Sequence, residues 1–516
     1  MPDNSSDQAQ PLLQDDTGHI ASYGGEANVE SQRLSTFAKN LSARDAYAVL
    51  ISIIIGSGVF TSPGSIDSNV PSPGVGLLVW LVGGLLAWTG AATMAELGTA
   101  IPGEGGIQPY LTRAYGEVFG FLAAWTWIVA LMPATLAILS IAFVDTISSF
   151  AGVTGGSHMW AHKGFSIMVL FVVTGANCIS TKTSTRLGSF FVVIKLLSIA
   201  LLVLAGISVV GVYSAQSHHD IGGGDWHSRG WFGPRDTVQR DGTKIDWTTL
   251  GQWQRLGHYS AALYGALWAY SGWDKANYVA AELSSPSQQL PLSINTAIPT
   301  IILSYVLSNA VYYILLPWSV VSTTDSVAVT AIMRVLGSAA AIVAVVMICL
   351  VIAGSLLGNS FVTGRMTVSA ANKSWLPEDL GVVGRVGRKR NVTGTSNSDV
   401  LAPRDTPINA LVLSAIISAI YILVGDFRVL LTFNGLGEYT FFLLAVLGNV
   451  ILRWKEPDLP RPYKPFIGVP ILFAVICAFM VVRGAIFAPV PAAILIGIWS
   501  LGYGFYLAMK RSVERA

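Results

Sequence analysis

Residues 52–64 read SIIIGSGVFTSPG. Ile53, Ile54 and Ile55 start as buried helix, yet Gly56, Ser57 and Gly58 follow at once, with Pro63 and Gly64 soon after. A glycine in a helix interior costs roughly 1 kcal/mol relative to alanine. A cluster of this kind inside an apolar run marks a helix that stops and restarts, and its purpose depends on where the run lies.

The run lies in a membrane. Of 516 residues, 52% are hydrophobic and only 12% charged, about half the charge of an ordinary soluble domain, which is roughly 25%. Apolar stretches long enough to cross the hydrocarbon core, about 20 residues each, recur along the chain. They fall at about 44–70, 75–99, 117–149, 164–181, 188–213, 257–282, 290–318, 329–363, 407–424, 428–453, 466–487 and 490–509. The expected fold class is an all-α polytopic membrane protein with twelve transmembrane helices. Residues 1–43 are too polar to bury a core and read as a disordered tail without a cleavable signal; 214–256 form a long polar loop and 364–406 a basic, Ser/Gly-rich stretch. A net charge of +2 spread over many loops points to no nucleic-acid partner. Cys178, Cys349 and Cys477 all sit in apolar runs, as small buried hydrophobes rather than a disulfide or metal set.

Loop charges orient the chain. With the N-terminus in the cytosol, twenty Lys and Arg fall in inner segments, including the run Arg385, Arg388, Lys389 and Arg390. The outer side holds Lys163, Arg334, Arg428 and Arg483, plus five basic residues in 214–256 that five aspartates offset. Positive residues collect on the cytosolic side, so both termini are expected there.

A second span is interrupted like the first. In LYGALWAYSGWDKANYVAAEL, Ser271 and Gly272, then Asp274 and Lys275, break an aromatic helix. Span 1 opens the first five spans and span 6 the next five. Paired interruptions at corresponding places in two halves indicate inverted repeats around a mid-membrane binding site. The halves run about 44–213 and 257–453, with helices 11 and 12 at about 466–509, a transporter domain of 44–510 and a short tail of 511–516.

Unwound backbone exposes N–H and C=O groups that hydrocarbon cannot satisfy, so a break survives only where it lines a cavity or binds something. The restarted helix presents unpaired N–H groups and a partial positive charge, which suit a carboxylate; the carbonyls of the first half-helix suit an ammonium. An α-amino acid zwitterion matches both. Gly56 and Gly58 allow close approach, and Ser57 adds a hydroxyl. Lys195, in FFVVIKLLSIALLVL, is an intramembrane charge of the kind that is usually functional; it could replace a bound sodium ion as a fixed cation, or carry a proton. Asp274 and Lys275 are adjacent, and neighbours on a helix point apart, so they are not automatically a pair. Glu96 and Glu282 lie near helix ends and read as gate or interface groups. No nucleophile–base set, phosphate loop or metal set appears, so the chain is not expected to be an enzyme or to use a cofactor, and transport would run on gradients or exchange.

The segments IIIGSGVFTSPG, AELGTAIPGEGG, LYGALWAYSGWDKANYVAAELSSPSQQLPLSI and LPRPYKPFIGVPILF make residues 43–490 resemble the L-type amino acid transporters of the amino acid–polyamine–organocation group, with a look nearest the fungal methionine and neutral amino acid permeases. The resemblance implies a LeuT-like five-plus-five inverted repeat with broken helices 1 and 6, and alternating access by rocking of a helix bundle. It carries carboxylate contacts onto Ser57, Gly58 and adjoining backbone at Ile55 and Gly56. It carries ammonium contacts onto carbonyls near Ile54, Trp268 and Ser271, with Ala269, Gly272, Trp273 and Asp274 as further substrate-binding positions in the same segment. Trp268 is then the aromatic gate, Lys195 the fixed cation, and Leu131 and Thr135 pocket walls. Ser271 stands where relatives that take cations can carry an acid, which favours neutral side chains; Asp274 stands where many relatives have Asn, which keeps a cationic substrate open. The loop SFAGVTGGSHMWAHKG has no cysteine, so no disulfide-linked heavy chain is expected.

The resulting expectation is a secondary transporter of neutral, fairly large L-amino acids such as leucine or methionine, by exchange or proton symport. The alternatives are a cationic amino acid or polyamine carrier, or a non-transporting amino acid receptor. The plasma membrane is favoured over the vacuolar membrane.

Overall fold

The computed structural model describes residue 39 and residues 41–101, 103–152, 159–179, 181–215, 220–239, 242–324, 326–384, 406–425 and 427–515. The expected tail over 1–43 and the basic run at 385–405 therefore lie largely outside the described residues. The backbone of Leu41 bridges Leu283: its N–H donates to the Glu282 carbonyl at 2.9 Å and its carbonyl accepts from Ser284 N–H at 3.1 Å.

Helix α1 (Ala43–Ile54) opens on a capping box in which Asp45 N–H donates to Ser42 Oγ at 3.4 Å and Ser42 N–H to Asp45 Oδ2 at 2.8 Å. It stops at Ile54. The chain resumes as α2 (Gly58–Asp67), bent by 46° from α1. Next come α3 (Pro73–Ala100), α4 (Ile107–Tyr115), α5 (Glu117–Phe150, with a π-helical turn at Trp127–Leu131), α6 (Met159–Ile179) and α7 (Thr181–Ala215). The expected loop 214–256 holds a single turn, α8 (Asp225–Ser228), and a two-stranded hairpin, β1 (Thr237–Val238) paired antiparallel with β2 (Lys244–Ile245).

The second interrupted helix, α9 (Gln252–Ala269), ends at a turn through Gly272, which has φ +104°. Only glycine takes that conformation without strain. Two 3-10 turns, Trp273–Tyr278 and Ala280–Glu282, carry the chain to α10 (Pro286–Leu315). The rest is helical: α11 (Trp318–Thr323), α12 (Val327–Asn372), α13 (Ile408–Val424), α14 (Phe427–Lys455), α15 (Gly468–Phe487) and α16 (Pro489–Arg515). Among the described residues, nine helices are long and apolar enough to cross a membrane, and the bent pair of α1 and α2 makes a tenth.

The two breaks are pressed together. A Cβ on Gly58 would stand 2.7 Å from Ala269 Cα, and one on Gly272 would stand 2.6 Å from Ile53 Cγ2. α3 crosses behind them on small residues, where Gly83 meets Ala266, and Gly84 meets Ile302 and Tyr270. In a membrane, small residues are what let backbones approach this closely.

Buried ion pairs fasten both ends of α3, whose 28 residues span about 42 Å at 1.5 Å per residue. Near its start, Asp67 at the end of α2 is fully buried and accepts from Arg235 Nη2 at 2.5 Å and from the Tyr313 hydroxyl at 2.7 Å. Arg235 comes from the 214–256 loop, which is pinned further where Gly74 N–H donates to Trp231 O at 2.8 Å and Arg235 N–H to Pro71 O at 3.0 Å. Near its other end, Glu96 accepts from Arg453 at 2.8 and 2.5 Å and from Asn449 at 2.9 Å, with Arg461 at 3.4 Å. Glu282 pairs with Arg365 at 3.1 Å. Both glutamates expected as gate or interface groups are thus inside ion pairs. Removing one partner of a buried pair strands the other charge, at about 3–5 kcal/mol. Asp67→Asn should therefore lower the thermal unfolding midpoint of the detergent-purified protein, with a loss of about 3 kcal/mol. An unchanged midpoint would show that the loop is not held through this pair.

Candidate functional site

An intact helix would use the carbonyls of Ser52, Ile53, Ile54 and Ile55 as acceptors for the following turn. The break at Gly56 removes those donors, and other helices replace them. Lys195 Nζ of α7 donates to Ser52 O at 2.6 Å and to Ile55 O. Ser355 Oγ of α12 donates to Ile53 O at 2.8 Å. The Tyr305 hydroxyl of α10 lies 2.7 Å from Ile54 O and 3.0 Å from Ala269 O, so it ties one break to the other. Lys195 is fully buried in the interior, an arrangement that is tolerable because its charge faces carbonyl dipoles.

The amide side of the break is left open. Phe60 and Thr61 N–H turn back to Ser57 O at 2.9 and 3.0 Å, while among the described residues Ser57, Gly58 and Val59 N–H find no protein acceptor. These are the first donors of a ten-residue helix, where the dipole favours negative charge. Ser57 and Gly58 line a cavity together with Ile53, Ile54 and Gly56 of the first break. Trp268, Ala269, Ser271, Gly272 and Lys275 of the second break face them. Carbonyl oxygens have two lone pairs: Ile54 O takes Gly56 N–H at 2.8 Å as well as Tyr305 and is filled, whereas Ala269 O can accept a further donor beyond Tyr305.

Three more helices close the cavity: α5 with Thr135 and Leu139, α12 with Ser355 and Asn359, and α14 with Asn434 and Glu438. Thr135 Oγ1 lies 3.3 Å from Asn434 Oδ1. Glu438, 2% exposed, accepts from Ser271 Oγ at 2.9 Å and lies 3.5 Å from Lys275 Nζ, which also reaches Asp274 Oδ2 at 3.0 Å. The 3-10 turn over 273–278 makes this pairing of adjacent residues possible, since it departs from the helical geometry that would point them apart.

Of the residues singled out from the sequence, Ile54, Gly56, Ser57, Gly58, Thr135, Trp268, Ala269, Ser271 and Gly272 line the cavity. Five do not. Ile55 is buried and contributes only its carbonyl to Lys195, which itself stands behind α1. Leu131, expected as a wall, fills the slot that Gly437 leaves by having no side chain. Trp273 packs against Phe442 and Phe473 at ring centroid distances of 4.7 and 5.2 Å. Asp274 sits behind Lys275, because the chain turns away from the cavity once past Gly272. Ile53, Leu139, Lys275, Ser355, Asn359, Asn434 and Glu438 were missed as lining residues. Glu438 had a signal: a carboxylate inside the apolar stretch 428–453, where an ionisable residue is a functional candidate by default. The pair Ser355 and Asn359 and the pair Asn434 and Glu438 each lie four residues apart, on one helix face.

A methionine at 195 would leave Ser52 O and Ile55 O without that donor, at about 1–3 kcal/mol for each buried group left unpaired. Lys195→Met should lower the unfolding midpoint and weaken amino acid binding by at least about tenfold, as read by calorimetry or scintillation proximity. Native-like binding in this variant would separate the lysine from the integrity of the break.

Residues 41–505 match the family model described as amino acid permease. The chain is 28% identical over 476 residues to the b(0,+)-type amino acid transporter 1 of Homo sapiens, covering 92% of this chain and 88% of that protein. It is also 28% identical over 490 residues to the large neutral amino acids transporter small subunit 2 of Homo sapiens, covering 94% and 83%. These relatives are transporters, not enzymes. A broken apolar helix, a partner break pressed on it and a family match across nine-tenths of its length lead to one conclusion: this chain is an integral, multi-pass membrane protein and belongs to the amino acid permease family, with the L-type amino acid transporters.

Proposed function

We propose that this protein is a secondary transporter of neutral, fairly large L-amino acids of the leucine and methionine type, working by alternating access. The observation that carries the reading is the pairing, in one cavity, of N–H groups left open at the start of α2 with the carbonyl of Ala269 at the end of α9. The first suits a carboxylate and the second an ammonium. Ile53, Ile54, Leu139 and Trp268 supply apolar wall for a side chain.

Twelve spans arranged as five plus five support this cycle: α9 and the shorter apolar α13 add to the ten candidates above. With both termini cytosolic, the Glu96–Arg453 and Glu282–Arg365 pairs lie on the inner side and Asp67–Arg235 on the outer side, so rocking breaks one set while the other holds. Trp268 is the gate residue between cavity and exterior. Exchange and proton coupling both fit, and the plasma membrane is the favoured location. Cys178, Cys349 and Cys477 all lie within helices, which leaves no cysteine in the loop between α5 and α6 for a disulfide-linked heavy chain.

Purified protein in liposomes loaded with unlabelled leucine should take up labelled leucine or methionine well above empty liposomes. Trp268→Ala should cut the rate by at least about tenfold, since a mispositioned gate disturbs both occlusion and binding. Uptake equal to that of empty liposomes for every amino acid tried would reject transport, and saturable binding without flux would make the protein a receptor. A second reading, a carrier of cationic side chains, is favoured by one observation only: Glu438 on the cavity wall.

A further inference from the structure

Asp274, Lys275 and Glu438 form a buried group of two carboxyls and one ammonium, with Nζ 3.0 Å from Asp274 Oδ2 and 3.5 Å from Glu438 Oε1. All three are 2% exposed, and Asp274 Oδ1 has no hydrogen-bond partner. If both carboxyls are ionised, the group carries one negative charge more than its lysine can neutralise. The other cation in this part of the core, Lys195, is turned to Ser52 O and Ile55 O on α1. Among the described residues, the other titratable groups that act on Glu438 are the phenols of Tyr264 from α9, Tyr278 from the 3-10 turn and Tyr439 from α14 itself. Arg483 of α15 lies over the Tyr264 ring, 5.4 Å from its centroid. An uncompensated buried charge is expensive enough that a group takes up a proton instead.

We propose that in the absence of substrate the Asp274–Glu438 pair holds one proton, and that a cationic amino acid side chain displaces it while a neutral one leaves it in place. The inference rests on the amino acid site proposed above and adds a coupling rule to it. Lys275 lies nearer Asp274 than Glu438, so Glu438 is the carboxyl that carries the proton. When an ammonium or guanidinium group arrives at Glu438, the proton leaves to solvent and Lys275 stays with Asp274 as a neutral pair. Ser271 continues to donate to Glu438 and fixes it at the cavity wall. The occluded site then has the same net charge in three states: empty and protonated, occupied by a zwitterion and protonated, or occupied by a cationic amino acid and deprotonated. A cationic substrate is thereby exchanged against a proton, whereas a neutral one is not.

The sign of the pH effect follows from competition. Raising the pH removes the competing proton, so arginine should bind about tenfold more tightly per pH unit across the range in which the pair is protonated, while leucine affinity stays flat. Full-length detergent-purified protein in weakly buffered solution with a pH indicator should release one proton per arginine bound and none per leucine. In Glu438→Gln the arginine-to-leucine affinity ratio should fall at least about tenfold and lose its pH dependence. In Asp274→Asn arginine binding should release no proton. Thermal unfolding of each variant checks that it is folded; the proton count of the native protein decides alone if either is not. Equal proton release by leucine and arginine, or a flat pH dependence for arginine, overturns the inference. So does leucine binding without arginine binding, which leaves the transport reading intact. Failure of every amino acid to bind overturns the transport reading itself.

Discussion

The carbonyls of Ser52 to Ile55 are the constraint on which the rest depends. A helix interrupted in hydrocarbon leaves backbone groups that must find partners inside the protein, and here three helices are committed to supplying them. Lys195, Ser355 and Tyr305 arrive from α7, α12 and α10. Each is held in place by what it satisfies: Lys195 would be intolerable in this position without carbonyls to face, and the carbonyls would be intolerable without it. The break and its supports therefore form one device.

That device has a polarity. Its acceptors are largely occupied by protein donors, while the amides of Ser57, Gly58 and Val59 are left without partners among the described residues. The break is therefore finished on its cationic side by the protein and open on its anionic side to a ligand. The close approach of Gly58 to Ala269 and of Gly272 to Ile53 brings the second break within reach, and Tyr305 spans both. A ligand that joins α2 to the end of α9 bridges the two halves of the fold at a point where each is already discontinuous, which makes the site a natural place for rocking to be felt.

The two breaks were readable in sequence because glycines in an apolar run contradict local propensity, and such conflicts gather at functional sites. Lys195 was readable for the same reason. Glu438 carried an equal signal, an ion in an apolar stretch, yet without α14 placed beside α9 nothing related it to Ser271 or Lys275. Ser355, Asn359 and Asn434 gave no signal, since small polar side chains in membrane helices commonly satisfy their own backbone or a neighbouring helix. Leu131 and Trp273 were expected at the site from the resemblance to known transporters. Their side chains instead fill space left by Gly437 and between Phe442 and Phe473.

Sequence alone determined that this is a helical membrane protein with two interrupted spans, because hydropathy and helix breaking are local properties of the chain. It also pointed to the zwitterionic ligand proposed above, since a restarted helix offers amides and an ended one offers carbonyls wherever they are. Only the tertiary structure decided which of those groups stay free. It also decided that Asp274 and Lys275 form a pair, with Glu438 as their third member. Those outcomes depend on residues 140 to 302 apart in the chain meeting at one depth, and contacts of that range leave no periodic trace in the residues that make them.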